Sequence, residues 1–338
     1  MSLVGIIANP ASGKDIRRVV SHAVTVSNQQ KVNIVGRLLL SLTALGIGRI
    51  AIMPDHFGIG LRALHDLNHH PEVLAATSLI DMPVDGNESD TLLATDYLRQ
   101  AGAGCIIVLG GDGTCRLVAK AAGEVPLLPI STGTNNVVPT FVEGTVAGLA
   151  AAYVALRGEV EREKLCYRHK KLLVYVNGAE ADQALVDVAL VATQFAGARA
   201  VWQPGTLRQV FVSRAQPTNI GMSSVIGVVH PVGPAQPVGA FVAIVPDGHR
   251  VLAPIAPGSL VPMGIGDITE MQPGVRYPVL VERPATLALD GEREIILGPG
   301  QRAEVALALG GPWIVDIERA LTAAVNEGVF RNEATHAH

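Results

Sequence analysis

The segment Val108-Leu109-Gly110-Gly111-Asp112-Gly113-Thr114 carries the strongest chemical signal in the chain. A buried-strand pattern enters a run of glycines and continues into a helix-like stretch from Thr114 through Val118. Glycines have no Cβ, so backbone N–H groups at such a turn can approach phosphate oxygens, and the helix N-terminus adds a favourable partial charge. Thr114 can cap the helix or bond a phosphate. Asp112 is the one acid directed at that phosphate site. It can orient a magnesium ion or take a proton from an attacking hydroxyl.

Other loops share this chemistry. Ser131-Thr132-Gly133-Thr134-Asn135-Asn136 also follows a strand-like run, and its hydroxyls and amides suit a ribose or a phosphate. Asn9-Pro10-Ala11-Ser12-Gly13-Lys14 looks like a P-loop but departs from one. Ala8 stands where the first Walker glycine belongs, and Asp15 follows Lys14 where Ser or Thr is required. Lys14 can still neutralise phosphate as a point cation. Leu289-Asp290-Gly291-Glu292 contains an Asp-Gly hairpin signal, and its functional reading puts Asp290 or Glu292 near the phosphates as base or metal ligand. His65 and His69 are spaced i,i+4, but no glutamate lies between them as in a zincin, so they read as a polar helix end. No Gly-x-Ser-x-Gly nucleophile elbow is present.

The elements that must position these loops alternate. Val4 to Ala8, Arg49 to Met53, Leu79 to Met82, Cys105 to Leu109 and Val125 to Ile130 read as strands. Helical spacing runs from about Val32 to Leu45, and again after Ser89 or Asp90, either of which can cap a helix through Leu98. Such alternation implies right-handed crossovers and a mostly parallel sheet, with ligands at the carboxyl ends of its strands. The loops after Ala8, Leu109 and Ile130 then share one edge.

After about Gly158 the pattern changes. Leu172 to Val176, Asn177-Gly178 and Gln183 to Ala192 form a hairpin pattern with a type I′ turn. Short apolar runs at Val225 to Val229, Phe241 to Val245, Val279 to Val281, Thr286 to Leu289 and Glu304 to Leu309 follow, separated by Pro-Gly, Asp-Gly and Gly-Pro-Gly. Asp316 to Val325 reads as a closing helix. The expected architecture is α/β: a three-layer parallel-sheet domain over 1–158, an antiparallel β-sandwich-like domain over 159–310, and 311–338 returning to the first domain.

Composition narrows the function. The chain has 338 residues, of which 49% are apolar and only 4% aromatic, enough for a large aliphatic core. A net charge of −4 disfavours nucleic acid as a partner. Cys105, Cys115 and Cys166 match no zinc or redox spacing and fit a reducing, cytoplasmic setting. The N-terminus reads as a strand and not a signal peptide, and no apolar run reaches the ~20 residues of a membrane span. Ala147 to Leu156 reads as a buried helix. The expected partner is a small-molecule substrate.

Taken in order, Asn-Pro-x-Ser-Gly, Gly-Gly-Asp-Gly-Thr, Gly-Thr-x-Asn and Asp-Gly-Glu resemble the NAD kinase–diacylglycerol kinase superfamily over nearly the whole chain. The resemblance is closest to its AcoX branch, the ATP-NAD kinase-like proteins of acetoin catabolism. It implies a nucleotide site between the two domains, ATP with Mg2+, and transfer of the γ-phosphate to a hydroxyl. NAD is the default acceptor, giving NADP. The resemblance implies nucleotide or phosphate contacts from Asn9, Ser12, Gly13 and Lys14, from Gly110, Gly111, Gly113 and Thr114, and from Thr132, Gly133, Thr134, Asn135 and Asn136. The base is Asp112 by likeness to NAD kinases or Asp290 by likeness to lipid kinases, with Glu292 on metal or phosphate. A homo-oligomer is also implied.

The chain departs from both better-known branches. NAD kinases carry an Asn-Glu pair that holds the dinucleotide; the matching stretch here is Ala184-Leu185-Val186-Asp187-Val188, so the acid remains as Asp187 and the amide has become Val186. Lipid kinases continue Gly-Thr-x-Asn with Asp and Phe-Ala-Arg, where this chain has Val137-Val138-Pro139. The rival functions are a non-catalytic nucleotide-binding regulator and a lipid kinase. No basic amphipathic helix is present to dock the latter on a membrane.

Overall fold

The computed structural model describes residues 2–13, 26–133, 135–192, 204–281 and 284–331. Its first half alternates β1 (Leu3–Ala8), α1 (Asn28–Ala44), β2 (Arg49–Ile52), α2 (Ile59–Asp66), α3 (Pro71–Ala76), β3 (Thr77–Leu79), α4 (Glu88–Gln100), β4 (Ala103–Gly110), α5 (Asp112–Ala121), β5 (Leu127–Ser131) and α6 (Gly144–Arg157). Next come α7 (Arg162–Leu165), β6 (Cys166–Arg168), β7 (Lys171–Val176), β8 (Ala179–Ala184), β9 (Asp187–Val191), β10 (Leu207–Val212), α8 (Ser224–Gly227) and β11 (Gly239–Ala256). The chain then forms β12 (Ser259–Ile265), β13 (Thr269–Met271), β14 (Arg276–Pro278), β15 (Ala285–Leu289), β16 (Glu292–Leu297), β17 (Ala303–Ala308), β18 (Trp313–Val315) and α9 (Ile317–Asn326).

The first sheet has the order β3-β2-β1-β4-β5-β18-β6. Its strands are parallel from β3 through β18, and β6 closes it antiparallel. Period-2 alternation along buried strands covers both faces. Val4, Ile6, Cys105, Ile107, Leu128 and Ile130 pack with α1 and α6, whereas Leu3, Ile7, Ile106, Val108 and Leu127 pack with α4 and α5. The result is a three-layer unit. The loops that leave β1, β4 and β5 lie side by side at the carboxyl edge, as a parallel sheet requires.

Residues from β7 to β17 build two antiparallel sheets. Their orders are β12-β11-β10-β9-β15-β16, with β13 on β11, and β14-β17-β7-β8. Leu172, Val174, Val305 and Leu307 of the smaller sheet face Val188, Leu190, Phe211 and Leu287 of the larger one, the alternating inner faces of a sandwich. Phe211 and Phe241 stack within this core, their ring centroids 5.2 Å apart.

Two hairpin turns have positive φ at both central residues, as type I′ turns do: Asn177 (51°) with Gly178 (85°), and Asp290 (50°) with Gly291 (82°). Several expectations shift. The hairpin partner of Lys171–Val176 is Ala179–Ala184 and not Gln183 to Ala192, of which Asp187–Val191 joins the larger sheet. Val225 to Val229 is not a strand: Ser224–Gly227 is a short helix. A brief apolar run cannot be told from a buried helix by periodicity, and here Gly227 lies against the backbone of Gln216, where a Cβ would come within 2.6 Å of its carbonyl oxygen. The cap of α4 is Asn87, whose Oδ1 accepts from Ser89 N at 2.7 Å. Asp90 instead accepts from the amides of Asp85 and Gly86. The expected strand at Val279 to Val281 pairs slightly earlier, as β14.

Candidate active site

The carboxyl edge of the parallel sheet is knitted together by side chains from its three loops. Asn9 Nδ2 donates to Thr114 Oγ1 at 2.9 Å. Asn9 Oδ1 accepts from Ala11 N at 2.8 Å and holds its own turn. Ser12 Oγ donates to Asn9 O at 2.7 Å and accepts from Thr132 Oγ1 at 2.9 Å. Gly13 has φ of 72°, and a Cβ there would meet the carbonyl oxygen of Thr132 at 2.5 Å. Asn136 Nδ2 donates to Ser131 Oγ and to Gly133 O. Asn135 Oδ1 is buried without a partner among the described residues, an acceptor that a ligand's donor could fill. Lys14 and Thr134 lie outside the described residues, as does the side chain of Glu292.

The glycine loop is tight for a steric reason. Gly110 ends β4 and Gly111 precedes α5 in extended conformation. A Cβ on Gly110 would come within 2.5 Å of Thr114 Cβ, and one on Gly111 within 2.9 Å of Asn136 Oδ1. Gly113 is buried in the first turn of α5, beside Thr114. The first turn of α5 can therefore pack directly against the loop after β5.

Asp112 opens α5 and is buried. Its Oδ1 accepts from Val138 N at 2.8 Å, and its Oδ2 from Val137 N at 2.9 Å. Asp290, from the β15–β16 turn, is gripped in the same way by the second domain. Its Oδ1 accepts from Val186 N at 2.7 Å and Asp187 N at 3.2 Å, and its Oδ2 from Leu185 N at 2.9 Å. Arg116 lies one helical turn beyond Asp112 and is fully buried. Its Nε is 4.0 Å from Asp290 Oδ2, and its Nη1 donates to Asp182 Oδ2 at 3.2 Å. Helix α5 of one domain thus faces the Asp290 turn of the other.

This proximity sets the electrostatics. Burial, and then the charge of Asp290, push the Asp112 carboxyl up to about 7, against the pull of the Val138 and Val137 amides. Burial also raises Asp290, opposed first by Arg116. Two mutually repelling buried carboxylates suit a divalent cation, which relieves that repulsion. Magnesium takes one or two carboxylates and completes its shell with water and substrate phosphates. Among the described residues no cluster of three or more His, Cys, Asp or Glu is placed to hold a metal ion.

Comparison with known proteins follows this layout. Residues 4–159 match the ATP-NAD kinase N-terminal domain, and residues 170–309 match the acetoin catabolism protein X C-terminal domain. Acetoin catabolism protein X of Cupriavidus necator is 38% identical over 315 residues, spanning 90% of this chain and 87% of its own length. The chain belongs to the acetoin catabolism protein X family. The crystal structure of yeast NADH kinase complexed with NADH aligns with a TM-score of 0.48 at 15% identity, covering 100% of this chain and 90% of that one.

This member of the acetoin catabolism protein X family uses residues that no motif announces. Lys31 of α1 is fully buried and donates to Asn9 O and Ser12 O, both at 2.8 Å, so its ammonium fastens the first loop. Arg116 and Arg214 are buried beside the carboxylates. A basic residue five positions after a glycine loop, as Arg116 stands to Gly111, carries no distinctive spacing. Asp187 is buried, and its amide helps to hold Asp290. Val186 is packed with Val137, Val138 and Leu185 in the apolar core beneath α5.

Proposed function

We propose that this protein transfers the γ-phosphoryl group of ATP to a hydroxyl of a small molecule, with Asp112 as the base. NAD is the first acceptor to try, and the name of the C. necator relative supports a setting in acetoin catabolism. The observation that carries this reading is the convergence of Asp112 and Asp290, one from each domain, beside the glycine loop at the start of α5. A pure binding protein has little use for two repelling acids next to a polyphosphate.

Asp112 suits the base better than Asp290. Asp290 is gripped by three amides and approached by Arg116, which fixes its carboxylate oxygens in place as acceptors within the second domain. Asp112 is held to about 7 and can exchange a proton near neutrality. In phosphoryl transfer the protein mainly positions groups and stabilises charge, so the loop amides of Gly110–Thr114 and the Asn9–Ser12–Thr132 network would orient the phosphates. Magnesium held by Asp112 and Asp290 would neutralise charge on the phosphates when bound.

A second reading, a nucleotide-binding regulator without turnover, draws on one observation. The position that holds an amide in NAD kinases is Val186, buried among valines, so it offers no polar contact to a dinucleotide. The two readings separate in one assay. Phosphoryl transfer dependent on Mg2+ and ATP, lost in Asp112→Asn, supports the kinase. Saturable ATP binding without transfer to NAD or any other hydroxyl compound supports the regulator.

A further inference from the structure

Two cations lie buried at the edge of this site. Lys170, just before β7, is almost wholly buried, and its Nζ donates to Gly233 O at 3.0 Å and Val238 O at 2.6 Å. Arg214, just after β10, is only 9% exposed. It donates from Nη2 to Gln216 Oε1 at 3.1 Å, its charge reaches the Tyr167 hydroxyl, and its buried Nε has no partner among the described residues. Neither cation pairs with a carboxylate among the described residues.

The backbone puts them together. Ala215 and Val232 exchange both backbone hydrogen bonds, so Arg214 adjoins one side of that bridge and Gly233, the acceptor for Lys170, adjoins the other. Ser213 N donates to Val186 O and Ser213 Oγ to Leu185 O, which ties Arg214 to the same turn that grips Asp290. Arg214 also pulls on the Asp112 carboxyl.

Holding two like charges out of water without a carboxylate in direct contact is costly. The cost shows in Lys170, which burial and then Arg214 lower to about 8. The two carbonyls account for Lys170 as a tie between loops, whereas Gln216 takes up one arm of the Arg214 guanidinium and leaves its buried Nε over. Such a pair matches an oxyanion, which a guanidinium fork and an ammonium both bind through charge-assisted hydrogen bonds.

We infer that Lys170 and Arg214 seat an oxyanion, phosphate or carboxylate, belonging to the acceptor whose hydroxyl faces Asp112. The acceptor is then itself an anion, which narrows the class from any alcohol to a hydroxyl compound with its own phosphate or carboxylate. This inference rests on the kinase reading for the word acceptor only; the oxyanion seat can be tested without turnover.

The experiment is calorimetric titration of the full chain with inorganic phosphate, alone and with a saturating non-hydrolysable ATP analogue and Mg2+. Wild type should bind phosphate saturably with the analogue present. Arg214→Gln and Lys170→Met should each weaken it at least about tenfold. Arg250→Gln, on the exposed part of β11, should not. If Arg214→Gln does not fold, Arg214→Lys keeps the charge, loses the fork, and should still bind more weakly. Phosphate binding insensitive to these variants, or none at all, overturns the seat. Displacement of phosphate by the analogue assigns the seat to ATP and overturns the acceptor. A repeat with acetate and with a small hydroxy-carboxylate ranks the two oxyanion sources. Intact, variant-sensitive binding in a protein that transfers no phosphate would leave the seat standing while the kinase reading falls.

Discussion

Asp112 holds its proton more tightly in the folded chain than in the unfolded one, about 7 against an ordinary 3.8. Its contribution to stability is therefore fully present below about pH 4 and is lost as pH rises through about 7. The midpoint of thermal unfolding should fall between about pH 4 and pH 7, and should fall less in Asp112→Asn; equal slopes would mean that another group sets the trend. The same group, acting as a base, must be deprotonated to work. Phosphoryl transfer should rise with pH through about 7, and Asp112→Asn should reduce it by about 10²–10⁴-fold. Asp290 makes a different prediction. It sits at φ of 50°, which Asn tolerates, and it satisfies three buried amides. Asp290→Ala should cost about 3 kcal/mol or more in urea unfolding because those amides lose their acceptor, and Asp290→Asn should cost less. A smaller loss for Ala than for Asn would remove Asp290 from that structural role.

At the scale of elements, the tight join of β4 to α5 is the critical geometry. Gly110→Ala would put a Cβ 2.5 Å from Thr114 Cβ, so about 1–3 kcal/mol of stability and the Asn9–Thr114 hydrogen bond should both be lost. Chemical denaturation, together with ATP affinity, reads both effects. The order of strands, helices and hairpins was legible because period 2, period 3.6 and Asn-Gly or Asp-Gly turns report local geometry directly. The Asp-Gly at 290–291 was legible both as a turn and as a candidate site. Ser224–Gly227 was not legible as a helix, since its environment against Gln216 is set by distant chain. Lys31, Lys170, Arg116 and Arg214 were hidden for the same reason. A lysine or arginine in a sequence reads as solvated surface until tertiary contacts bury it. Asn87 replaced Ser89 or Asp90 as the cap of α4 because neighbouring polar residues compete for one role, and only the backbone path decides among them.

At the scale of the molecule, the C-terminal segment returns to complete the first sheet. β18 lies between β5 and β6, with Ile314 paired to Leu127 and Tyr167, and Asp316 caps α9 beside it. Removing residues 312–338 should open β5 and detach β6, abolishing cooperative unfolding of the parallel-sheet half as followed by circular dichroism; a truncated chain with an unchanged transition would contradict that dependence. Among the described residues no helix is long and apolar enough to cross a membrane. The two halves meet where α5 faces the Asp290 turn, and the proposed role of Asp112 is to act across that junction on a hydroxyl. The most direct measurement is NADP formation from NAD with Mg2+ and ATP, wild type beside Asp112→Asn, with ATP binding confirmed in both samples. Wild type should give product, and the variant at least about a hundredfold less. Equal product from both would contradict the role of Asp112, and bound ATP with no transfer to NAD or to a phosphate- or carboxylate-bearing alcohol would contradict the kinase itself.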